Sequence, residues 1–143
     1  MEGVERVALN AAAMRAPSAP GTPARFLPDG SNLPWAVEAL RTRSEERFGR
    51  WIAHVRTALP DLRTVRTVER PEDRHRYLVV EFESGLSAPS WVVSDGTLRL
   101  LALTLLRDSL SFVRDTTALL AVEQREIDLA RNRRDDPMTH LRL

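Results

Sequence analysis

The sequence predicts a mixed α/β domain on three observations. Apolar residues recur at spacings of three and four across residues 33–58, which is the period of one helix face. From Leu62 the period drops to two, as in a half-buried strand, and behind Ser94 it returns to helical spacing through Leu98, Leu101, Ala102 and Leu105. Helix, helix, strand, strand, strand, helix is a layered order, neither a bundle nor a barrel. The 143 residues suffice for one domain or a large piece of one, a size that buries about two-thirds of its unfolded surface.

The first 16 residues carry Val4, Val7, Ala8 and Ala11–Ala13, enough for a weak helix. Pro17, Pro20 and Pro23 then impose an extended, polyproline-like connector packed along a surface. Pro28-Asp29-Gly30-Ser31-Asn32 is a turn by composition, and Ser31 or Asn32 is placed to cap a helix with Pro34 in its first turn, where no N–H is needed. Two helices follow, at 33–42 and 45–58. Val37 and Leu40 face inward on the first; Phe48, Ile52, Val55 and Leu59 do so on the second, which Ser44 caps and Pro60 stops. Trp35 and Trp51 lie beside these faces as core or rim aromatics.

The alternating run from Leu62 to Val68, the turn Arg70-Pro71-Glu72-Asp73 and the run Tyr77–Glu83 predict an antiparallel strand pair. Ser84-Gly85 turns the chain toward a third strand over Ser90–Val93, which feeds a helix capped by Ser94. Beyond Leu106, Leu110, Phe112 and Val113 read as a short strand. Asp115 or Thr116 is placed to cap a last helix through Leu119, Val122, Ile127 and Ala130, and Arg131, Arg133 and Arg134 form a basic end. The expected organisation is a partial domain over 1–106, ending in the helix behind Ser94, and a charged helical tail over 107–143.

Composition narrows the chemistry. The net charge of +1 gives no general attraction to nucleic acid or membrane, and the basic cluster near the end is the one place where nucleic-acid contact enters as a minor reading. The basic residues are all Arg, so the chain cannot carry the glycine-rich nucleotide loop that needs a lysine on the β- and γ-phosphates. Zero cysteines exclude disulfides, thiolate metal sites and cysteine nucleophiles. The opening residues, with Glu2, Glu5, Arg6 and Arg15 around a short apolar patch, do not read as a signal peptide, and no apolar run approaches the ~20 residues that cross a bilayer. The expected setting is the cytoplasm.

His54, His75 and His140 are too dispersed for a metal site, the acidic pairs fall on polar segments, and Gly-x-Ser-x-Gly is absent. What remains is Ser94-Asp95-Gly96-Thr97 at a helix start. Unpaired N–H groups and the positive end of the helix dipole favour an anionic oxygen there, and Gly96 leaves room for close approach. Asp95 opposes an anion unless its charge is turned aside. An ordinary capped core helix is the competing reading of the same residues.

Val93-Ser-Asp-Gly-Thr-Leu-Arg-Leu-Leu-Ala-Leu103 resembles the signature motif of ABC-type ATPases of the RecF/SMC/OLD-like group, catalogued as AAA-type ATPases with a split core. Pro17-Ser-Ala-Pro-Gly21, Leu27-Pro-Asp-Gly-Ser-Asn-Leu-Pro34, the two-helix region and the strand pair are similar to the same group in the same order, over about residues 10–106. The resemblance implies that Ser94 and Gly96 contact the γ-phosphate of an ATP held by an opposing subunit. Thr97 follows the glycine, Asp95 stands beside it, and Arg99 supplies a supporting charge. ATP and magnesium then come only through a partner ATPase chain. The group's lysine loop and the acid-pair strand expected soon after the signature helix are missing; Arg107–Asp115 reads Arg-Asp-Ser-Leu-Ser-Phe-Val-Arg-Asp. The implied identity is a fragment of such an ATPase, inactive alone; the alternative is a non-catalytic interaction or remnant domain.

Overall fold

A computed structural model describes residues 7–109 of the chain. The expected strand at Leu110–Val113, the last helix, the Arg131–Arg134 cluster and His140 lie outside the described residues. By its internal contacts the chain divides between Leu106 and Arg107, and the unit ending at Leu106 is described by itself.

Among the described residues the fold is a mixed α/β arrangement of four helices and a three-stranded antiparallel sheet in the order β1-β2-β3. Helix α1 spans only Ala11–Arg15, capped by the Asn10 side chain, which accepts the Ala13 N–H at 3.0 Å. Met14 is its sole buried residue, so tertiary packing holds what five residues cannot hold alone. The proline-rich connector is not extended throughout as expected: it turns at Pro20-Gly21, where Gly21 takes a left-handed φ of 81° and the Thr22 hydroxyl donates to the Ala19 carbonyl at 2.6 Å, and it joins the sheet where Ser18 and Arg76 exchange backbone hydrogen bonds of 2.8 and 2.9 Å in an isolated bridge.

Helices α2 (Leu33–Arg43) and α3 (Glu45–Ala58) fall where the helical spacing puts them. Ser44 ends the first and caps the second, accepting the Arg47 N–H at 3.2 Å. At the start of α2 the expected side-chain cap does not form, although Asn32 occupies the cap position. Its buried amide turns back into the preceding loop, accepting from Leu27 N–H at 2.9 Å and donating to the carbonyls of Pro23 and Arg25. Three loop groups compete there with the helix end, and the loop takes the side chain. The same loop needs Gly30, whose φ of 74° is left-handed and whose Cα lies against Met14.

Strand β1 (Leu62–Glu69) pairs with β2 (Arg76–Phe82), and β2 with the short β3 (Ser87–Pro89). A strict alternation puts Leu62 and Val65 on opposite faces, yet both are buried in the core. The irregular register between Leu62 and Thr64 accounts for this, because one extra residue in a strand switches the side chains before it to the other face. The predicted third strand at Ser90–Val93 is a correction: β3 lies three residues earlier, and Ser90–Val92 is a 3-10 turn. Pro89 has no N–H to extend the ladder, and the buried Ser90 hydroxyl donates to the Arg15 carbonyl at 2.8 Å, which turns the chain out of the sheet plane.

Helix α4 begins at residue 95 and is helical to 109, the last described residue. Leu98, Leu101, Ala102 and Leu105 enter one core with Val93, Met14, Leu33, Val37, Trp51, Ile52 and Val55 from the helical side and Leu62, Val65, Leu78 and Val80 from the sheet. Each leucine buried this way contributes about 1.5–3 kcal/mol of transfer free energy. Trp51 donates its indole N–H to Thr104 at 2.9 Å inside this core, tying α3 to α4. No helix among the described residues is long and apolar enough to cross a membrane.

Candidate functional site

The start of α4 is built from three neighbours in sequence and one residue far away. The 3-10 turn sends Val93 inward and leaves Trp91 and Val92 outside, 49% and 66% exposed, immediately before the helix. Trp91 is braced by Tyr77 of β2, ring to ring at 4.9 Å. The inward Val93 and Leu98 anchor the segment on either side of Ser94–Thr97, so the helix start is fixed to the core while its tip faces outward.

Ser94, Asp95 and Gly96 are exposed, and Thr97 is half-buried. The Ser94 hydroxyl is engaged within its own turn: it accepts the Thr97 N–H at 3.2 Å and donates to the Thr97 hydroxyl at 3.0 Å. The Leu98 N–H bonds to the Ser94 carbonyl at 3.1 Å, which opens the helical ladder. That leaves the N–H groups of Asp95 and Gly96, the first two of the helix, with no acceptor among the described residues. Nothing lies within 4 Å of where a Gly96 side chain would begin. The expected room for close approach therefore exists.

Asp95 is held aside by Arg15, a residue that belongs to no motif of the sequence. Arg15, at the end of α1, forms an ion pair with Asp95 and also donates to the Val93 carbonyl at 3.1 Å. The negative charge beside the helix start is thus matched by a guanidinium. Nothing local in the sequence could show this, since the partners are 80 positions apart and α1 is too short to project a pattern. Arg99 is exposed one turn along the helix and donates to the Leu9 carbonyl of the N-terminal segment at 3.5 Å.

No cluster of His, Cys, Asp or Glu able to hold a metal occurs among the described residues. Glu45, Glu46, Glu72 and Asp73 are exposed. Asp73 is held down to about 2, chiefly by its hydrogen bond from Arg70 and then by the His75 backbone N–H. Glu38 is partly buried: burial raises its pKa, but hydrogen bonds from Arg41 and Thr67 and the nearby Arg76 outweigh that and bring it below the usual range. This cluster ties α2 to the sheet, with the Arg76 guanidinium 5.0 Å from the Trp35 ring centre.

No protein family, curated protein or solved structure matches the chain.

Proposed function

We propose that the start of α4 contributes the signature half of a nucleotide site, contacting the phosphate end of an ATP held by a separate ATPase chain of the RecF/SMC/OLD-like kind. The observation that carries this reading is the uncovered Gly96 at the second helical position, with the unbonded N–H groups of Asp95 and Gly96 at the helix start. Those donors and the helix dipole suit an anionic oxygen. The Arg15 pairing supports the reading because it removes the charge objection raised by Asp95. In this reading Gly96 donates its backbone N–H, Ser94 holds the turn and faces the ligand from the cap, Thr97 locks Ser94, and Arg99 is a supporting charge. Magnesium accompanies the partner's nucleotide. The lobe is then an incomplete ATPase head, inactive alone, and its setting is the cytoplasm.

A second reading, that α4 is a capped core helix in an interaction or remnant domain, is favoured by the Ser94 hydroxyl. Its acceptor and donor capacities already serve Thr97. Ser94→Asp separates the two. Aspartate is as good an N-cap as serine and suits the helix dipole, so stability should hold, whereas a carboxylate at this point repels phosphate. Size-exclusion or sedimentation of the chain mixed with an ATPase head carrying its own lysine loop should give an ATP-dependent complex, lost in Ser94→Asp at unchanged thermal midpoint. No ATP-dependent complex, or one indifferent to Ser94→Asp, would leave only the core-helix reading.

A further inference from the structure

A second feature lies beside α1 and shares Arg15 with the start of α4, while its ligand is argued from other groups than Ser94 and Gly96. An open cleft of about 430 Å³ is lined by Ala12, Arg15, Ala16, Pro17, Arg70 and Trp91. Its volume falls within the range of small-ligand sites, about 300–1,000 Å³. Ala12 and Ala16 are four apart, so their small side chains lie on the same side of the chain turn and leave the space that longer ones would fill. Trp91 is half exposed and held by Tyr77, so its ring is available yet not free to swing.

Both guanidiniums on the cleft are fixed in place and keep donors in reserve. Arg15 engages Val93 and Asp95 through Nη2, leaving Nε and Nη1 without a hydrogen bond among the described residues. Arg70 engages Asp73 through Nε and Nη2, leaving Nη1. Ion pairing thus orients two forks that still have N–H groups to offer, and a guanidinium is matched to carboxylate and phosphate oxygens. An indole face, an apolar wall of Ala and Pro and two oriented guanidiniums recognise one chemistry together: a flat ring to lie on Trp91 and an anionic group to meet Arg15 and Arg70.

We infer that this cleft binds a small planar aromatic anion, its ring against Trp91 and its carboxylate or phosphate between Arg15 and Arg70. A mononucleotide and an aromatic carboxylic acid share that chemistry, and the two are separated by experiment. The full chain, labelled with nitrogen-15, reports through its three indole N–H resonances, with Trp91 assigned by its loss in Trp91→Phe. The Trp51 indole, bonded to buried Thr104, is an internal reporter of the fold.

Adenosine monophosphate and benzoate are each titrated, with adenosine and inorganic phosphate as partial ligands. The Trp91 resonance should shift saturably with at least one of the two anions while Trp51 stays in place. A response to the nucleotide alone assigns the cleft to nucleotides, and a response to benzoate alone assigns it to aromatic acids. Adenosine and phosphate should each bind at least about tenfold more weakly than the nucleotide if that is the ligand, since a charge-assisted hydrogen bond is worth a factor of this order. Arg70→Gln should weaken binding about tenfold on the same scale with the Trp51 resonance unmoved. The inference is overturned if neither anion shifts Trp91, if adenosine or phosphate alone does as well as the nucleotide, or if Arg70→Gln changes nothing. None of these results involves Ser94 or Gly96, so a negative outcome leaves the reading of α4 as it stands.

Discussion

Asn32 shows how one side chain organises a loop that the backbone cannot organise for itself. Between Pro23 and Leu33 there is no ladder to satisfy carbonyls and N–H groups, and a buried amide with two donors and an acceptor meets three of them. Asn32→Ala removes all three part-buried bonds, so the chain should lose roughly 1–3 kcal/mol, read as a fall in the urea midpoint at unchanged slope. Arg15 is the corresponding residue for the candidate site. It bonds to the last residue before the helix cap and to the first residue after it, which makes α1 a clamp on the start of α4 rather than a separate feature. Neither role is visible locally, because each depends on where a distant or irregular segment comes to rest.

At the scale of elements, the β1–β2 hairpin carries two testable features in its connecting turn. Arg74 adopts a φ of 61°, a left-handed conformation that costs a residue with a Cβ about 1 kcal/mol or more. Arg74→Gly should therefore raise stability by roughly 0.5–1 kcal/mol, the relief of strain exceeding the added chain entropy, as a higher thermal midpoint.

Asp73 in the same turn is held at about 2 by Arg70 and the His75 N–H, below its unfolded value of about 3.9. Its stabilising effect is complete above pH ~4 and is lost as the pH falls toward ~2, because the unfolded chain then binds the proton first. Asp73→Asn should flatten the acid limb of the stability curve between those values and leave the limb above pH ~5 unchanged, by thermal melts across pH. The register irregularity in β1 is an element-scale feature too: it lets Leu62 and Val65 face the same core, at the cost of one ladder step.

At the scale of the whole described unit, the Trp51–Thr104 bond joins two long helices, α3 and α4, inside the core. Thr104 also donates to the Leu100 carbonyl at 2.7 Å, so its hydroxyl accepts from one helix and donates to the other. Thr104→Val keeps the volume but strands the buried indole N–H, and should cost about 1–3 kcal/mol, seen in the denaturation midpoint. The effect should reach the candidate site only through stability, because Thr104 lies two turns from the exposed helix start.

Periodicity by itself determined the fold class, helices α2 and α3, the β1–β2 pair and the helix behind Ser94. These are the segments where burial repeats at the period of the backbone, so the pattern of apolar residues and the capping chemistry of Ser44 and Ser94 act locally and agree. The missing lysine was equally legible, since composition alone excludes a lysine-bearing phosphate loop. Tertiary structure alone decided the rest. It placed β3 at Ser87–Pro89 because Ser90 bonds to Arg15, it diverted Asn32 from its cap to a loop, and it set Arg15 against Asp95. Each of these is a polar side chain choosing among competing partners, and the winner is set by which groups folding brings within hydrogen-bond reach, a distance that sequence spacing does not encode.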